Sequence, residues 1–265
     1  MATLPVALVR TVPNAFRFAL AGDQPARRPD PELARHQHDG YRRALEAGGF
    51  SVVSIPGDEL HPDSPFVEDT AVVVGNRALA TRPGHPSRRG EVAPVAAALE
   101  RYVEVQGITA EARIDGGDVL QMGSDIFVGR STRTDEAGIA ALRRFAEPQG
   151  RRVIPVEVHS VLHLKSAVTA LDRRTVLAAP GAIDLDPFAS CDIVPVPGDD
   201  PEAANVVRLP DGSVLVAAHH EDTARLVARR GIQTSTVDVS EFAAADGGLT
   251  CLSIRLRDVL ESPAP

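Results

Sequence analysis

Residues 119–129, VLQMGSDIFVG, decide the fold class of this chain. Two apolar runs rich in β-branched and aromatic side chains flank a short polar turn, which is the pattern of a β-hairpin. The same pattern recurs as AVVVGNRALAT at 71–81, AVTALDRRTVLAA at 167–179 and NVVRLPDGSVLVAA at 205–218. A hairpin therefore appears about every forty to fifty residues, which is a spacing typical of repeated structural units.

A helix and a third strand follow most of the hairpins. One apolar helical face is formed by Val92, Val95, Ala96, Leu99 and Tyr102, and a second by Ile139, Leu142, Phe145 and Ala146. Thr134 or Asp135 can cap the second helix, and EDTARLVARRG at 221–231 starts with acids and ends with arginines and a glycine. The predicted third strands are RVIPVEV (152–158), DIVPV (192–196) and STVDV (235–239), with only a weak helix pattern before the second of them. The repeated unit is therefore strand-strand-helix-strand.

The two ends of the chain supply the pieces of a fifth unit. These are strands at PVALVR (5–10), SVVSI (51–55) and CLSIRLR (251–257), and a helix over 31–49 with Leu33, Tyr41 and Leu45 on one face. Joining the two ends closes a ring and removes the edge strands that an open array would expose. Because the sequence contains no linker, we predict one domain over residues 1–265.

Charge and composition argue against several classes of protein. The net charge is -8 and the arginines are scattered, which disfavours a nucleic-acid partner and mildly favours a cationic small ligand. The N-terminal apolar run is too short for a signal peptide, and no stretch approaches the roughly 18 apolar residues of a membrane span. Cys191 and Cys251 have neither disulfide-framework nor zinc-site spacing. We therefore expect a soluble, cytoplasmic protein with reduced thiols.

Polar residues occupy the same place in each unit, just ahead of the first strand of the hairpin. If the units surround an axis, these equivalent positions converge at one end of it. The converging side chains are then Asp63, Glu68, Asp69, Asp115, Asp118, His163, Asn205, Asp246 and Cys251. The Gly-Gly pairs beside Asp115 and Asp246 allow close backbone approach. This pattern predicts a pocket at the axis.

Each of these residues also has a purely structural interpretation. Cys251 can be a small buried hydrophobe, and His163, between apolar neighbours, can be a hydrogen-bonded core histidine. The aspartates of DGGD (115–118) can be turn residues. The acidic pair in FVEDTAVVV (66–74) needs a cationic partner if buried, which an internal arginine could supply. Taken together, the recurrence of such groups in every unit favours a functional site.

Seven segments together resemble the dimethylarginine dimethylaminohydrolase family, within the wider group of guanidine-modifying enzymes. They are FVEDTAVV (66–73), ATRPGHPSRRGE (80–91), DGGDVL (115–120), GRSTRT (129–134), LHLKS (162–166), AANVV (203–207) and DGGLTCLS (246–253), in the family's order. The resemblance covers nearly the whole chain. It implies an α/β fold, a five-fold pseudosymmetric β/α-propeller of ββαβ units called the pentein fold, in agreement with the repeat.

The resemblance also implies a role for particular residues. It makes Cys251 the nucleophile, His163 the general acid/base and Asp115 the carboxylate that orients the histidine. The implied substrate-binding residues are Glu68 and Asp69 for the guanidinium, Arg88 and Arg133 for the carboxylate of the amino acid, and Asp63, Asp246 and Leu20 for the remaining pocket, with Leu20 on a mobile lid. The implied ligand is a small methylated arginine. No cofactor and no resident metal are implied, zinc being an inhibitor at Cys251, and the implied assembly is a monomer or a homodimer.

The chemistry of a guanidinium group fits these roles. Its carbon is a poor electrophile, so attack needs a strong, pre-positioned nucleophile and a proton for the departing amine. A thiolate and an imidazolium supply these two requirements. Two other functions use the same residues: an arginine deiminase-like hydrolysis of an unmethylated guanidine, and non-catalytic binding of a cationic amino acid. An open structural scaffold is a third alternative.

Overall fold

The computed structural model describes residues 5–21, 27–109 and 111–256, and within them five three-stranded sheets are present. In chain order the strands are β1 (Val6–Arg10), β2 (Ser51–Ile55), β3 (Ala71–Val74), β4 (Arg77–Ala80), β5 (Glu104–Gly107), β6 (Val119–Met122), β7 (Asp125–Arg130), β8 (Arg152–Glu157), β9 (Val168–Ala170), β10 (Thr175–Ala178), β11 (Asp192–Pro195), β12 (Val207–Arg208), β13 (Val214–Ala217), β14 (Thr234–Val237) and β15 (Ile254–Leu256). The α-helices are α1 (Pro31–Ala47), α2 (Val92–Leu99), α3 (Glu136–Ala146), α4 (Leu164–Ala167), α5 (Glu221–Arg229) and α6 (Ser240–Ala243).

Every sheet has the same topology. Its first two strands are antiparallel, and its third strand lies parallel to the second. Four sheets are the predicted hairpins with their third strands: β3-β4-β5, β6-β7-β8, β11-β10-β9 and β12-β13-β14. A parallel third strand needs a crossover connection, and helices α2, α3 and α5 lie in three of these connections. The connection before β11 has only the short 3-10 helix Asp186–Phe188, as its weak helix pattern suggested.

The fifth sheet joins the two ends of the chain. β1 lies between β15 and β2, with Val6 opposite Leu256 on the antiparallel side and opposite Ser51 on the parallel side. Helix α1 connects β1 to β2. The predicted fifth unit is therefore confirmed, and the repeated units give the pentein architecture expected from the sequence.

The helix starts follow ordinary capping chemistry. Asp30 accepts a hydrogen bond from the Glu32 N–H at 2.8 Å, and Pro31 opens α1. Asp135 accepts from the Gly138 N–H at 2.9 Å and caps α3. Of the two predicted caps for α3, Asp135 is therefore correct, because the Thr134 hydroxyl donates instead to the buried carboxylate of Asp118.

Three local predictions were wrong. Leu33 is 43% exposed, because α1 buries the face that carries Ala34, Tyr41 and Leu45. Tyr102 is 42% exposed and lies beyond the end of α2 at Leu99. Cys251 is not in a strand, since the chain forms a 3-10 turn at Thr250–Leu252 before β15 begins.

Short helical turns precede the first strand of every unit. They are the 3-10 helices Val67–Thr70, Gly116–Asp118, Pro201–Ala204 and Thr250–Leu252, and the single-turn helix α4. Most residues of the strands that follow them are apolar and buried, so the hydrophobic core holds each turn in place. The residues that the sequence predicts to converge lie in these turns or in the segments next to them.

Within the described part of the chain, no helix is both long and apolar enough to cross a membrane.

Candidate active site

A pocket of about 270 Å³ lies at the end of the propeller where the turns meet, near the lower limit of typical small-molecule sites. Eight of the residues predicted for the site line it: Leu20, Asp63, Asp69, Arg88, Arg133, His163, Asp246 and Cys251. Asp115 does not line the pocket but is hydrogen-bonded to His163. Glu68, Asp118 and Asn205 are buried nearby without lining the pocket.

His163 and Asp115 form a buried pair. The two groups come together because His163 directly precedes α4, whereas Asp115 directly precedes the turn Gly116–Asp118. The Nε2 atom of His163 lies 3.0 Å from Oδ2 of Asp115, whose Oδ1 accepts the Gly84 N–H at 2.7 Å. Burial disfavours charge on the ring, but the charge of Asp69 and the hydrogen bond to Asp115 outweigh it and raise the pKa of His163 to about 9. The imidazole ring of His163 is therefore protonated at neutral pH.

Asp69 is an ionised carboxylate at the floor of this pocket. Its Oδ2 accepts from Nη1 of Arg88 at 2.5 Å, and its Oδ1 accepts the Gly117 N–H at 2.8 Å. The same Oδ1 lies 4.0 Å from Nε2 of His163. Burial raises the pKa of Asp69, but the charges of His163 and Arg88 dominate and lower it to about 2. A negative charge is thus fixed beside the histidine.

Cys251 lies in the turn Thr250–Leu252 and is only 9% exposed. The thiol accepts a hydrogen bond from the Gly248 backbone. Burial and the carboxylates of Glu68 and Asp69 raise the pKa of the thiol well above its ordinary value. The resting thiol is therefore protonated, and an incoming cation would favour the thiolate.

The loop before Cys251 has an unusual backbone. Asp246 has φ +55°, the one positive value at a non-glycine position in the described residues, and this conformation costs energy for a residue with a Cβ. A methyl group on the next residue, Gly247, would overlap the ring of Phe66. The loop can therefore follow this path past the pocket only with glycine at position 247.

Asp63, Arg133 and Leu20 surround another part of the pocket. Asp63 accepts the Leu20 N–H at 2.9 Å, which holds the Leu20 backbone at the pocket. Burial raises the pKa of Asp63 more than the nearby charges of Arg88 and Arg133 lower it. A mobile lid that carries Leu20 stays a prediction, and residues 22–26 lie outside the described residues.

Two relatives of known family match almost the full length of the chain. The sequence is 42% identical over 257 residues to an N(G),N(G)-dimethylarginine dimethylaminohydrolase of Streptomyces coelicolor, covering 96% of this chain and 98% of that protein. It is 33% identical over 230 residues to the enzyme of the same name from Pseudomonas aeruginosa, covering 86% and 90% of the two chains. The chain belongs to the dimethylarginine dimethylaminohydrolase family.

Solved structures agree with this membership in the dimethylarginine dimethylaminohydrolase family. The Pseudomonas aeruginosa enzyme, as a cysteine-to-serine variant complexed with citrulline, superposes with a TM-score of 0.91 at 30% identity, over 96% of this chain and 100% of that chain. The amidinotransferase SxtG of Microseira wollei, at 19% identity and a TM-score of 0.82 over 98% and 96% of the two chains, has the same fold. In addition, a sequence model of the arginine deiminase family matches residues 66–196.

Glu68 does not reach the pocket in this member of the dimethylarginine dimethylaminohydrolase family. Its Oε1 accepts from the Lys165 ammonium at 2.5 Å, and its Oε2 accepts from the Thr250 hydroxyl at 2.9 Å. The predicted contact of Glu68 with a guanidinium is therefore not what this geometry provides. The buried cationic partner of Glu68 is Lys165, with Arg255 at 3.7 Å.

Arg88 lines the pocket, but other groups already engage most of its guanidinium. It pairs with the carboxylates of Asp69 and Glu91, and its Nη2 donates to the Phe66 carbonyl at 2.8 Å. These contacts raise its pKa and neutralise its charge. No hydrogen bond or ion pair to a described residue engages the guanidinium of Arg133. Of the two predicted arginines, Arg133 is therefore the one with more capacity for a ligand carboxylate.

One group of potential metal ligands is present in the described residues: Asp69, Asp115 and His163, whose ligand atoms lie within 4.8 Å of one another. Cys251, where the sequence suggested inhibitory zinc, is not in this group. His163 is hydrogen-bonded to Asp115, Asp115 also accepts from the Gly84 N–H, and Asp69 accepts from Arg88 and from the Gly117 N–H. A metal ion there would have to displace several of these contacts and the proton on the imidazole.

His85, Phe66 and Leu162 also line the pocket, and none of them was predicted from the sequence to have a role. His85 lies within the family-like segment ATRPGHPSRRGE, where it could have been noticed. Burial and the charge of Arg133 lower its pKa, so this imidazole is neutral at neutral pH. His85 is therefore a second, uncharged histidine in the pocket.

Proposed function

We propose that this chain hydrolyses free N-omega-methylated arginine, both asymmetric dimethylarginine and monomethylarginine, to citrulline and dimethylamine or methylamine. The observation that carries the proposal is a pocket that combines the buried thiol of Cys251, the imidazolium of His163 and the carboxylate of Asp69. These are the nucleophile, the acid and the anion that hydrolysis of a guanidinium requires. Membership in the family supports the methylated substrate.

Binding is proposed to use the two groups of charges in the pocket. The ionised Asp69 attracts the guanidinium cation, since a buried carboxylate interacts strongly with an opposite charge. Arg133 receives the carboxylate of the amino acid, while Arg88 holds the side chain of Asp69 in place through their ion pair. Asp63 and the backbone of Leu20 and Asp246 complete the site. Holding both ends of the substrate in this way fixes the guanidinium carbon against the thiol.

The thiolate forms when the cationic substrate enters, and the thiol proton leaves to solvent. Sulfur then attacks the guanidinium carbon, forming a C–S bond. His163 donates its proton to the methylated nitrogen, the C–N bond breaks, and the amine departs. A thiouronium group remains on Cys251. Water attacks the same carbon while the now neutral His163 takes one of its protons. The C–S bond then breaks, the remaining hydroxyl proton passes to the departing thiolate, and citrulline is released with the thiol restored. Asp115 stabilises the imidazolium throughout.

The test is citrulline release from asymmetric dimethylarginine, monomethylarginine, arginine and agmatine, measured side by side. Turnover of the methylated substrates should fall to the detection limit in Cys251→Ser. Cys191→Ser is the matched control, because this thiol is half-buried outside the pocket, and it should retain parental turnover. Binding of methylarginine without turnover in the parent would instead identify a binding protein.

A second candidate is an arginine deiminase-like activity on unmethylated arginine or another guanidine, which the family match over residues 66–196 favours. Its chemistry uses the same thiol, histidine and carboxylates. Preference for arginine or agmatine in the same assay would select it. The absence of a cofactor, the cytoplasmic location and the monomeric or dimeric state stay predictions from the sequence.

A further inference from the structure

Asn205 is a buried amide between the chain segments that carry His163 and Cys251. Its Nδ2 donates to the Lys165 carbonyl at 2.9 Å and to the Thr250 hydroxyl at 3.1 Å. Its Oδ1 accepts the Thr250 N–H at 3.0 Å. Both donor positions of the amide are thus used, and all three bonds go to the two catalytic segments.

These bonds belong to a closed ring of four residues. The Thr250 hydroxyl accepts from Asn205 and donates to Glu68 at 2.9 Å, and the Lys165 ammonium donates to the other oxygen of Glu68 at 2.5 Å. The Lys165 carbonyl accepts a hydrogen bond from Asn205, which closes the ring. The four members come from four different units of the propeller, those that begin with β3, β9, β12 and β15. All four are buried, where a completed network is rigid and a broken one is costly.

The ring is connected to the Cys251 thiol in two ways. Thr250 is bonded covalently to Cys251, and both its N–H and its hydroxyl are held by Asn205. Gly248 lies against the Asn205 amide, since a Cβ there would be 2.6 Å from Cγ of Asn205. The backbone of Gly248 in turn provides the hydrogen bond to the Cys251 thiol. Asn205 therefore supports Thr250 and Gly248, two residues of the segment that leads to the nucleophile.

The ring also fixes the segment of the histidine. His163 directly precedes α4, whose Leu164 N–H donates to Asp118 at 2.9 Å. The next residue, Lys165, is held through its carbonyl by Asn205 and through its ammonium by Glu68. The amide of Asn205 and the carboxylate of Glu68 thus both join α4 to the turn Thr250–Leu252.

We propose that Asn205 is a positioning residue that sets the placement of Cys251 relative to His163 for the reaction inferred above. The inference rests on the proposed function only for its kinetic readout. Asn205 does not line the pocket, so it acts through Thr250, Gly248 and Lys165 and not through the substrate. A misplacement of reacting groups by about 1 Å can cost on the order of 10²-fold in rate.

The experiment compares Asn205→Ala, Thr250→Val and Thr250→Ser with the parent. The first two should lower kcat by about 10-fold to 10²-fold with KM changed less than about threefold, because the pocket itself is untouched. Thr250→Ser keeps the hydroxyl and should restore kcat to near the parental value. Thr223→Val is the matched control, because this buried threonine lies on α5 and its hydroxyl has no hydrogen-bond partner among the described residues. It should leave kcat unchanged.

A second readout does not depend on turnover. The pH dependence of Cys251 alkylation by iodoacetamide, located by peptide mass mapping, reports the pKa of the thiol. Loss of the Gly248 hydrogen bond should raise this pKa in Asn205→Ala and Thr250→Val, slowing alkylation at fixed pH by about tenfold for each unit. A parent without methylarginine turnover would refute the proposed function, while this readout would still decide the role of Asn205. Unchanged kcat and alkylation, or an equal effect of Thr223→Val, would overturn the inference.

Discussion

At the scale of single residues, the pocket depends on charges that hold each other in place. His163 stays charged because Asp69, Asp115 and Asp118 surround it, and Asp69 stays charged because His163 and Arg88 surround it. The Cys251 thiol, by contrast, is buried close to the carboxylates of Glu68 and Asp69, so it stays neutral. The site thus has an acid ready to donate and a nucleophile that awaits a cationic substrate.

Replacing Asp115 with asparagine should lower the pKa of His163 from about 9. Asparagine keeps an oxygen for the Gly84 N–H but loses the charge that favours the imidazolium. NMR titration of the His163 ring, assigned with His163→Gln, measures the change. Asp39→Asn on the exposed face of α1 is the control and should leave the titration unchanged.

The sign of the accompanying stability effect follows from the direction of the shift. A pKa raised from 6.5 to about 9 on folding stabilises the parent fully below about 6.5, and this contribution is lost as the pH rises through about 9. The difference in unfolding free energy between parent and Asp115→Asn should therefore shrink at alkaline pH. A His163 pKa that is identical in both proteins would contradict the assigned role of Asp115.

At the scale of elements, the sequence predicted the repeated units better than the site geometry. Hairpins and third strands are encoded by local apolar patterns, so all four internal units were found with small boundary errors. Individual contacts depend on three-dimensional packing. No sequence pattern revealed that Glu68 would bond Lys165 and Thr250 instead of facing the pocket, or that Asp135 rather than Thr134 would cap α3.

Gly247→Ala should displace the loop that leads to Cys251. The added methyl would overlap Phe66, whose ring is held against Phe16 and Phe242 and cannot turn aside easily. Overpacking of this kind costs about 1–3 kcal/mol of unfolding free energy, and movement of the loop should lower turnover. Urea denaturation and citrulline release measure the two effects.

Gly107→Ala is the matched control for this substitution. A methyl at position 107, at the end of β5, meets no atom within 4 Å, so stability and turnover should stay near the parental values. If Gly247→Ala behaves in the same way, the tight path of the loop past Phe66 is not needed for catalysis.

At the scale of the whole molecule, the circular arrangement of the five units depends on the pairing of the two ends of the chain. Leu8 in β1 is fully buried and packs in one cluster with Val67, Leu99 and Ile254. That cluster joins the fifth unit to the unit that begins with β3. The predicted single domain over residues 1–265 therefore requires that the fifth unit unfold together with the others.

Leu8→Ala should lower the unfolding free energy by about 2–5 kcal/mol, the cost of a buried leucine cavity. Leu60→Ala is the matched control, because Leu60 is 86% exposed, and it should change the free energy by less than about 0.5 kcal/mol. Urea unfolding of Leu8→Ala, followed by circular dichroism and by enzyme activity, should give coincident transitions. Activity lost at lower urea than the circular dichroism signal would mean that the fifth unit unfolds independently.

The pairing of Val6 with Leu256 also makes the starting point of the chain arbitrary. A circular permutant could connect the present ends through a short linker and open instead at the turn around Asp211, which is exposed. Its new terminal strands would be β13 and β12, which pair antiparallel as β1 and β15 do. The unit with the new break would then be completed by both ends of the chain, and the order of the catalytic residues along the sequence would change while their arrangement in space stayed the same.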